Sequence, residues 1–230
     1  MELSKRLNWI IEKINKVEVI MDVGTDHGYI PIYLVKNNIA KKVIASDINK
    51  EPLKKAKINV SLDGVADKVD LRLGRGLSPL NNKEADAVII AGMGGNLIRD
   101  ILENDLNKIK NLEYLILQPA QNPEVLRKYL YNNNYEILEE DICLDENKYY
   151  EIFKVKYKTG DYILLEDIFY EISPTMLNKK LPLLKSYIES KIQKNKRIME
   201  FIKDNTEHVI ERKNELEEKN EKLEKLLKNF

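Results

Sequence analysis

The chain has 230 residues, 43% of them apolar, enough for one sizeable domain plus a smaller appendage. Lysine and arginine together number 38, as do aspartate and glutamate; the zero net charge argues against coating nucleic acid by bulk charge but leaves room for a local basic face. The single cysteine, Cys143, excludes an internal disulfide and a cysteine-based metal site, and without a membrane-length apolar run or a signal-peptide core a soluble, cytoplasmic protein with no membrane partner is expected.

In chain order, the first half alternates strand and helix. Val17–Met21 is a short strand running into Asp22-Val23-Gly24, and Ile30–Asn37 reads as a helix. Lys42–Ala45 is a second strand ending at Ser46-Asp47, followed by a helix from Pro52, a favoured first-turn residue, to Leu62. Val69–Leu73 alternates as a third strand and stops at Gly74. Ala87–Ala91 is apolar throughout, as suits a strand covered on both faces, and a helix follows its glycines to Glu103. Tyr114–Leu117 is a fifth strand ending at Gln118-Pro119, and Pro123 opens a helix to Asn132. This alternation predicts βαβ units and a parallel sheet.

The pattern changes after Asn134. Tyr135–Ile142 and Lys148–Val155, joined by Asp145-Glu146-Asn147, read as an antiparallel hairpin at one sheet edge. Lys158–Asp161 is a turn, and a connector with Pro174 and Pro182 leads to a strongly helical remainder. Leu184, Ile188, Ile192, Met199 and Ile202 form one apolar stripe; Val209, Leu216, Leu223 and Phe230 recur at heptad spacing beside Leu227. Asp204-Asn205-Thr206 breaks the run, with Asp204 and Glu207 patterned as a capping box. Two antiparallel helices in a coiled-coil hairpin are predicted; two amphipathic helices packed on a core are the alternative. The expected domains are 1–160, the ligand-binding sheet, and 161–230, the connector and helical hairpin.

In an open parallel sheet, ligands bind beyond the carboxyl ends of the strands, so the residue runs after each strand are the candidates. The first loop carries D-x-G-x-x-x-G at Asp22, Gly24 and Gly28, where glycine lets the backbone turn tightly and approach a ligand. The dinucleotide fingerprint's middle glycine is missing, which points to a ligand without phosphates and away from a nicotinamide dehydrogenase. Asp47, roughly 20 residues further on, is placed to accept from both hydroxyls of a ribose, or is the N-cap of the next helix. Ile48 and Asn49 follow it. The third strand ends in Gly74-Arg75-Gly76-Leu77 and the fourth in Ala91-Gly92-Met93-Gly94-Gly95. Glycine or acid at matching places in four loops exceeds what turn chemistry alone explains.

The runs Asp22–Pro31, Ala91–Gly95 and Leu117–Pro119 resemble those of the Rossmann-like methyltransferases and, more narrowly, the bacterial tRNA adenine-22 N1-methyltransferase family (TrmK). The opening Leu3-Ser4-Lys5-Arg6-Leu7 and the helical C-terminus fit the same family, so the resemblance spans nearly the whole chain. It implies an α/β fold: a Rossmann-like sheet with helices on both faces and an antiparallel edge hairpin, plus a C-terminal coiled-coil hairpin. It also implies S-adenosyl-L-methionine as cofactor, bound by the four loops above, and methyl transfer to N1 of adenosine 22 in the D-loop region of a tRNA partner. A monomer is expected, with an oligomer left open, and no metal. One position departs from the family. Arg75 stands where an acid is expected, and it cannot accept a hydrogen bond from the cofactor's adenine amino group. Backbone around Gly76 and apolar contact from Ile48 or Leu77 are expected instead, with weaker cofactor binding or a displaced Arg75.

A sulfonium donor releases a neutral leaving group, and adenine N1 carries a free in-plane lone pair. No strong general base is therefore expected, and positioning in a dry site can supply about 7–11 kcal/mol. Candidate orienting residues are Asp26, His27 and Tyr29 of the first loop, Met93 and Gly94 of the fourth, and Gln118, Pro119 and Asn122 of the fifth. Tyr29 would stack on an extruded base, Gln118 or Asn122 would read its edge, and Asp26 would offset ring charge or hold His27. The plainer readings make Tyr29 a core residue and Gln118-Pro119 a strand end; His27, without a cysteine or second histidine nearby, is no metal ligand. Lys5, Arg6, Lys13 and Lys16, and then Lys191, Lys194, Lys196 and Arg197, are candidate phosphate contacts, the second group being equally a solvated helix face. Competing functions are methyl transfer to another RNA base, a protein or a small molecule, or a non-catalytic scaffold that binds a partner through its helices.

Overall fold

The computed structural model describes residues 3–160, 164–202, 206–228 and 230. The chain divides into two compact units, one through Leu164 and one from Leu165 onward. In the first, the Ser4 hydroxyl accepts from the Leu7 N–H at 3.2 Å and so opens α1 (Lys5–Glu12), a helix absent from the sequence expectation, which buries Trp9, Ile10 and Ile11. Then follow β1 (Val17–Val23), α2 (Tyr29–Lys36), β2 (Ala40–Asp47), α3 (Lys50–Leu62), β3 (Val69–Leu73), β4 (Ala87–Gly94), α4 (Gly95–Asn104), the short α5 (Leu106–Ile109), β5 (Tyr114–Gln121), α6 (Pro123–Asn132), β6 (Tyr135–Asp145) and β7 (Lys148–Tyr157).

The strands form one sheet in the order β3-β2-β1-β4-β5-β7-β6, parallel from β3 to β5 and antiparallel across β7 and β6. Apolar side chains leave both faces. Ile20, Ile89 and Ile116 pack with Ile10, Ile32 and Leu34 on one side, whereas Met21, Ile90 and Leu117 pack with Ile98, Leu102 and Leu126 on the other. Such two-sided burial makes the parallel strands continuously apolar. β2 and β3 lie to one side of β1 and β4 to the other, so the strand order reverses there and the crevice opens between β1 and β4.

Several strands run past their expected ends. β4 continues to Gly94, and β5 runs through Pro119 to Gln121, so Gln118-Pro119 does not terminate it. The reason is local: β7 pairs with β5 only at Leu115–Leu117, which leaves one side of the strand free beyond that point, where proline is tolerated. In the hairpin, Asp145 belongs to β6. Glu146 and Asn147, with φ of 47° and 59°, make the whole turn, a two-residue form whose twist matches its strands. Beneath the hairpin, Arg127 of α6 is fully buried. Its Nε donates to Glu140 of β6 at 2.8 Å, a second nitrogen donates to Glu151 of β7, and the guanidinium lies 4.8 Å from the Phe153 ring centroid.

The second unit comprises α7 (Asp167–Glu171), α8 (Pro174–Lys179), α9 (Leu184–Phe201) and α10 (Glu207–Leu227). Leu184, Ile188, Ile192, Leu216 and Leu223 are buried, while Phe230 is exposed, so the heptad series ends before it. Glu171 joins Lys191 of α9 at 2.9 Å to Lys219 of α10 at 2.5 Å. Between the same two helices the Asn195 amide donates to the buried Asn220 carbonyl oxygen at 2.8 Å, a polar contact the apolar pattern concealed. Asp161 and Asp204 lie outside the described residues; α10 begins at Glu207, with Thr206 at its N-cap. No helix among the described residues is long and apolar enough to cross a membrane.

Candidate functional site

β1 ends in a loop whose backbone is forced into shape. Gly24 and Thr25 both donate to the Ser46 carbonyl at 2.8 Å, which folds the first loop over the end of β2. Gly24 has φ +77°, and a Cβ there would meet the Met93 methyl at 2.4 Å, so the first and fourth loops touch. Gly28 turns the chain into α2, and a Cβ would stand 3.3 Å from that of Ala56; it serves the turn and helix packing rather than a ligand wall. His27 holds φ 60°, its carbonyl accepting from the Asn59 amide at 2.9 Å. Its ring stacks on Tyr29, with centroids 5.3 Å apart and planes at 12°, and its Nε2 lies 3.4 Å from Asp26.

A cavity of about 360 Å³ opens between the ends of β1 and β4. Asp22, Gly24, Asp26, Tyr29, Ala91 and Gly92 line it, and so do Arg6, Leu7 and Ile30, of which only Arg6 was singled out in the sequence, as a phosphate contact. Asp22 is 5% exposed; burial pushes its carboxyl up to about 6, and the nearby Asp47 charge adds to the rise. Tyr29 is half-buried at the start of α2, where it both packs on the core and faces the cavity. A larger hollow of about 710 Å³ along β2 and β3 contains none of the candidate residues.

The second and third loops lie outside that cavity, side by side: the Gly74 N–H donates to the Asp47 carbonyl at 2.9 Å. Asp47 is not the N-cap of α3, a place held by Asn49, whose N–H donates to the Asp47 carboxylate at 2.7 Å. Ile48 is exposed and free to face a ligand, as is Arg75, which has no ion-pair partner among the described residues. Leu77 is a correction. Its side chain is fully buried, and its N–H donates to Asp105 at 3.2 Å, so neither can reach an adenine. At Gly76, with φ +52°, a Cβ would fall 3.3 Å from Ile101, so this residue offers a ligand only its backbone.

Gln118 and Pro119 are corrected as well. Both are buried in β5; the Gln118 carbonyl oxygen accepts from Arg6 at 2.6 Å and its amide nitrogen donates to the Pro119 carbonyl at 2.8 Å, leaving no edge for a base. Asn122 is not among the residues that line the cavity. It is exposed with φ 52°, and its carbonyl approaches the start of α4 so closely that a Cβ on Gly95 would lie 2.1 Å from it. Met93 and Gly94 pair with Pro119 and Gln121 across an irregular stretch of β4, so the fourth and fifth loops lie side by side, outside the residues that line the cavity. The N-terminal basic group breaks up: Lys13 is bound to Glu139 and Asp141, each at 2.6 Å, and Arg6 turns into the cavity, leaving Lys5 and Lys16 exposed. In the second group Lys191 is spent on Glu171 and Lys196 lies 3.6 Å from Glu224, while Lys194 and Arg197 have no ion-pair partner among the described residues.

A family model described as tRNA (adenine(22)-N(1))-methyltransferase matches residues 20–225. The chain is 40% identical over 152 residues to the tRNA (adenine(22)-N(1))-methyltransferase of Bacillus subtilis (strain 168), a stretch covering 66% of this chain and 64% of that protein, a little under two thirds of the relative's length. Among solved structures, the B. subtilis M1A22 tRNA methyltransferase TrmK superposes with a TM-score of 0.85 at 32% identity, covering 98% of this chain and 99% of that one. TrmK of M. capricolum, solved with the cofactor product S-adenosyl-homocysteine, gives 0.80 at 31% identity, covering 97% and 99%.

Proposed function

The chain belongs to the tRNA (adenine(22)-N(1))-methyltransferase family, and from that premise we propose that it transfers the methyl group of S-adenosyl-L-methionine to N1 of adenosine 22 in tRNA, acting in the cytoplasm as a monomer. The observation that carries this reading is the cavity at the sheet's switch point, where Asp22 and Gly24 of the first loop face Ala91 and Gly92 of the fourth. The residues fit the donor. A buried acid at Asp22 suits an ammonium group, and Gly92, at φ +79°, leaves room that a side chain would take. Asp47 spends one oxygen on the Asn49 N–H and keeps the other for ribose hydroxyls.

When bound, the donor supplies a methyl carbon on a sulfonium, whose departure as a neutral thioether needs no acid. The chain's own residues position and shield. Adenine N1 has no proton to lose, so none of them acts as a base; alignment accounts for the rate, on the order of 7–11 kcal/mol when good. Tyr29, stiffened by the His27 stack, offers a flat face to an extruded purine. Asp26, exposed beside His27, offsets the positive charge that grows on the ring. Met93, Gly94 and Asn122, at the ends of β4 and β5, are left to border the base once it is bound, and Gln118 acts through Arg6 rather than on the base. Lys5, Lys16, Lys194 and Arg197 are the exposed cations left for phosphates.

Incubation of unmodified bacterial tRNA with labelled donor, followed by nucleoside analysis, tests the reading. N1-methyladenosine is expected; 1-methylguanosine or N6-methyladenosine in its place overturns it.

A further inference from the structure

The antiparallel hairpin outreaches the rest of the sheet at the end where the cavity opens. β7 pairs with β5 only at Leu115–Leu117, with Leu117 opposite Phe153. Lys148–Ile152 therefore run on beyond that pairing, past the carboxyl ends of the parallel strands, for about 17 Å. Two contacts tie this tip to the cavity. The Arg6 N–H donates to Asp145 at 3.1 Å, and the Arg6 guanidinium, which lines the cavity, lies 5.6 Å from the Tyr150 ring centroid. Lys148 and Tyr150, two apart in β7, share a face, and the Lys148 ammonium stands 4.8 Å from the same ring centroid. Tyr150 thus gathers two cations with different destinations. Arg6 is turned inward, its Nη1 donating to the buried Gln118 at 2.6 Å. Lys148 is exposed and has no carboxylate partner among the described residues, and the same holds for Lys5, the neighbour of Arg6 in the chain.

A base in a folded RNA must leave its stack to enter such a cavity, and turning it out brings its own phosphates against the protein surface. Those phosphates need cations just outside the site. The first loop, at the end of β1, offers the exposed carboxylate of Asp26, whereas the hairpin, beyond β5, offers an unpaired ammonium. We propose that Lys148, aided by Lys5, grips a backbone phosphate of the extruded adenosine, with Tyr150 as the positioning residue that holds its ammonium beside the cavity. The inference rests on the methyltransferase reading above and adds to it an RNA contact on the hairpin that the sequence pattern did not mark. Glu146, the exposed acid of the turn, works against the same phosphate.

The test is tRNA binding followed by fluorescence anisotropy over a range of salt concentrations. Lys148→Gln is expected to weaken binding about 3- to 10-fold at low salt and to lower the salt slope by about one, with the affinity for S-adenosyl-L-methionine, read by calorimetry, unchanged. Lys148→Arg should keep most of the affinity, and Glu146→Gln should tighten binding. Tyr150→Phe, which keeps the ring face, should bind as the wild type does, while Tyr150→Leu should match Lys148→Gln in slope, a change that loss of packing alone does not produce. A tRNA with an uncharged methylphosphonate at one or other phosphate of adenosine 22 locates the contact: one of the two should bind wild-type protein more weakly, yet bind Lys148→Gln as well as unmodified tRNA does. The inference is overturned if Lys148→Gln keeps the wild-type affinity and slope, if it loses donor affinity instead, or if each methylphosphonate weakens it as much as it weakens the wild type. If wild-type protein binds neither tRNA nor donor, the methyltransferase reading falls as well, and the wild-type measurements by themselves tell the two failures apart.

Discussion

The first unit withdraws charge from water in two places and treats it oppositely. Under the hairpin, Arg127 meets Glu140 and Glu151 with side chains that are essentially unexposed. Burial works against its charge, yet the two carboxylates outweigh that and hold the guanidinium well above its ordinary range. At the switch point, Asp22 and Arg6 line one cavity without partners of opposite charge among the described residues. A closed set of buried charges holds elements together; an open one is a place prepared for something else.

Removal of one partner from the closed set should have the largest effect. Arg127→Leu strands two carboxylates in the interior and is expected to cost about 3–5 kcal/mol in denaturant unfolding, with donor affinity of the folded fraction unchanged. A loss too small to measure would mean that the hairpin does not depend on the triad. The open set should respond with the opposite sign. The Asp22 carboxyl, ordinarily at 3.8, stands at about 6 in the fold, so its contribution favours folding fully below the first value and is lost as pH rises through the second. Ligand-free Asp22→Asn should therefore gain up to about 3 kcal/mol at neutral pH, as each pKa unit is worth roughly 1.4 kcal/mol. Its stability profile between those two pH values should flatten, and donor affinity should fall. Equal loss of stability and affinity would make Asp22 a structural residue. For the same reason, wild-type donor affinity should rise with pH up to about 6, because the ammonium binds the ionised acid.

The second unit supplies a closed set of its own. Burial disfavours the Glu171 charge, but Lys191 and Lys219 overcome it and draw the carboxyl down to about 2. That stability is present above the ordinary carboxylate range and is lost as pH falls through about 2. Glu171→Gln should cost on the order of 1–3 kcal/mol at neutral pH, seen as a lower thermal midpoint. Asn220→Leu should have the smallest effect, within about 1 kcal/mol of neutral, since the amide leaves one nitrogen unbonded in the wild type.

The sheet was legible because its signals are local: apolar runs ending in glycine or acid, helical stretches between them, and a turn residue pair at the hairpin. The first and fourth loops were legible for the same reason, and Asp22, Gly24, Tyr29, Ala91 and Gly92 do meet. What escaped depends on contacts distant in sequence. Gln118 reads as a free amide until Arg6, from the other end of the unit, is seen on its oxygen. Leu77 follows a glycine like a binding residue, yet it is buried in the same apolar cluster as Ile101 and its N–H is taken by Asp105. Lys13 looks available until the hairpin brings two acids against it. Side-chain destination is set by what the fold places opposite, and periodicity carries no information about that.

The amide pair at Asn195 and Asn220 has a consequence for how the two long helices meet. Were α10 to slide by one turn along α9, the two amides would part and the buried Asn220 would lose the hydrogen bond that now serves it. Leucines tolerate several alignments almost equally, so a single latch of this kind decides which alignment survives, and a substitution on one helix constrains what the other can accept.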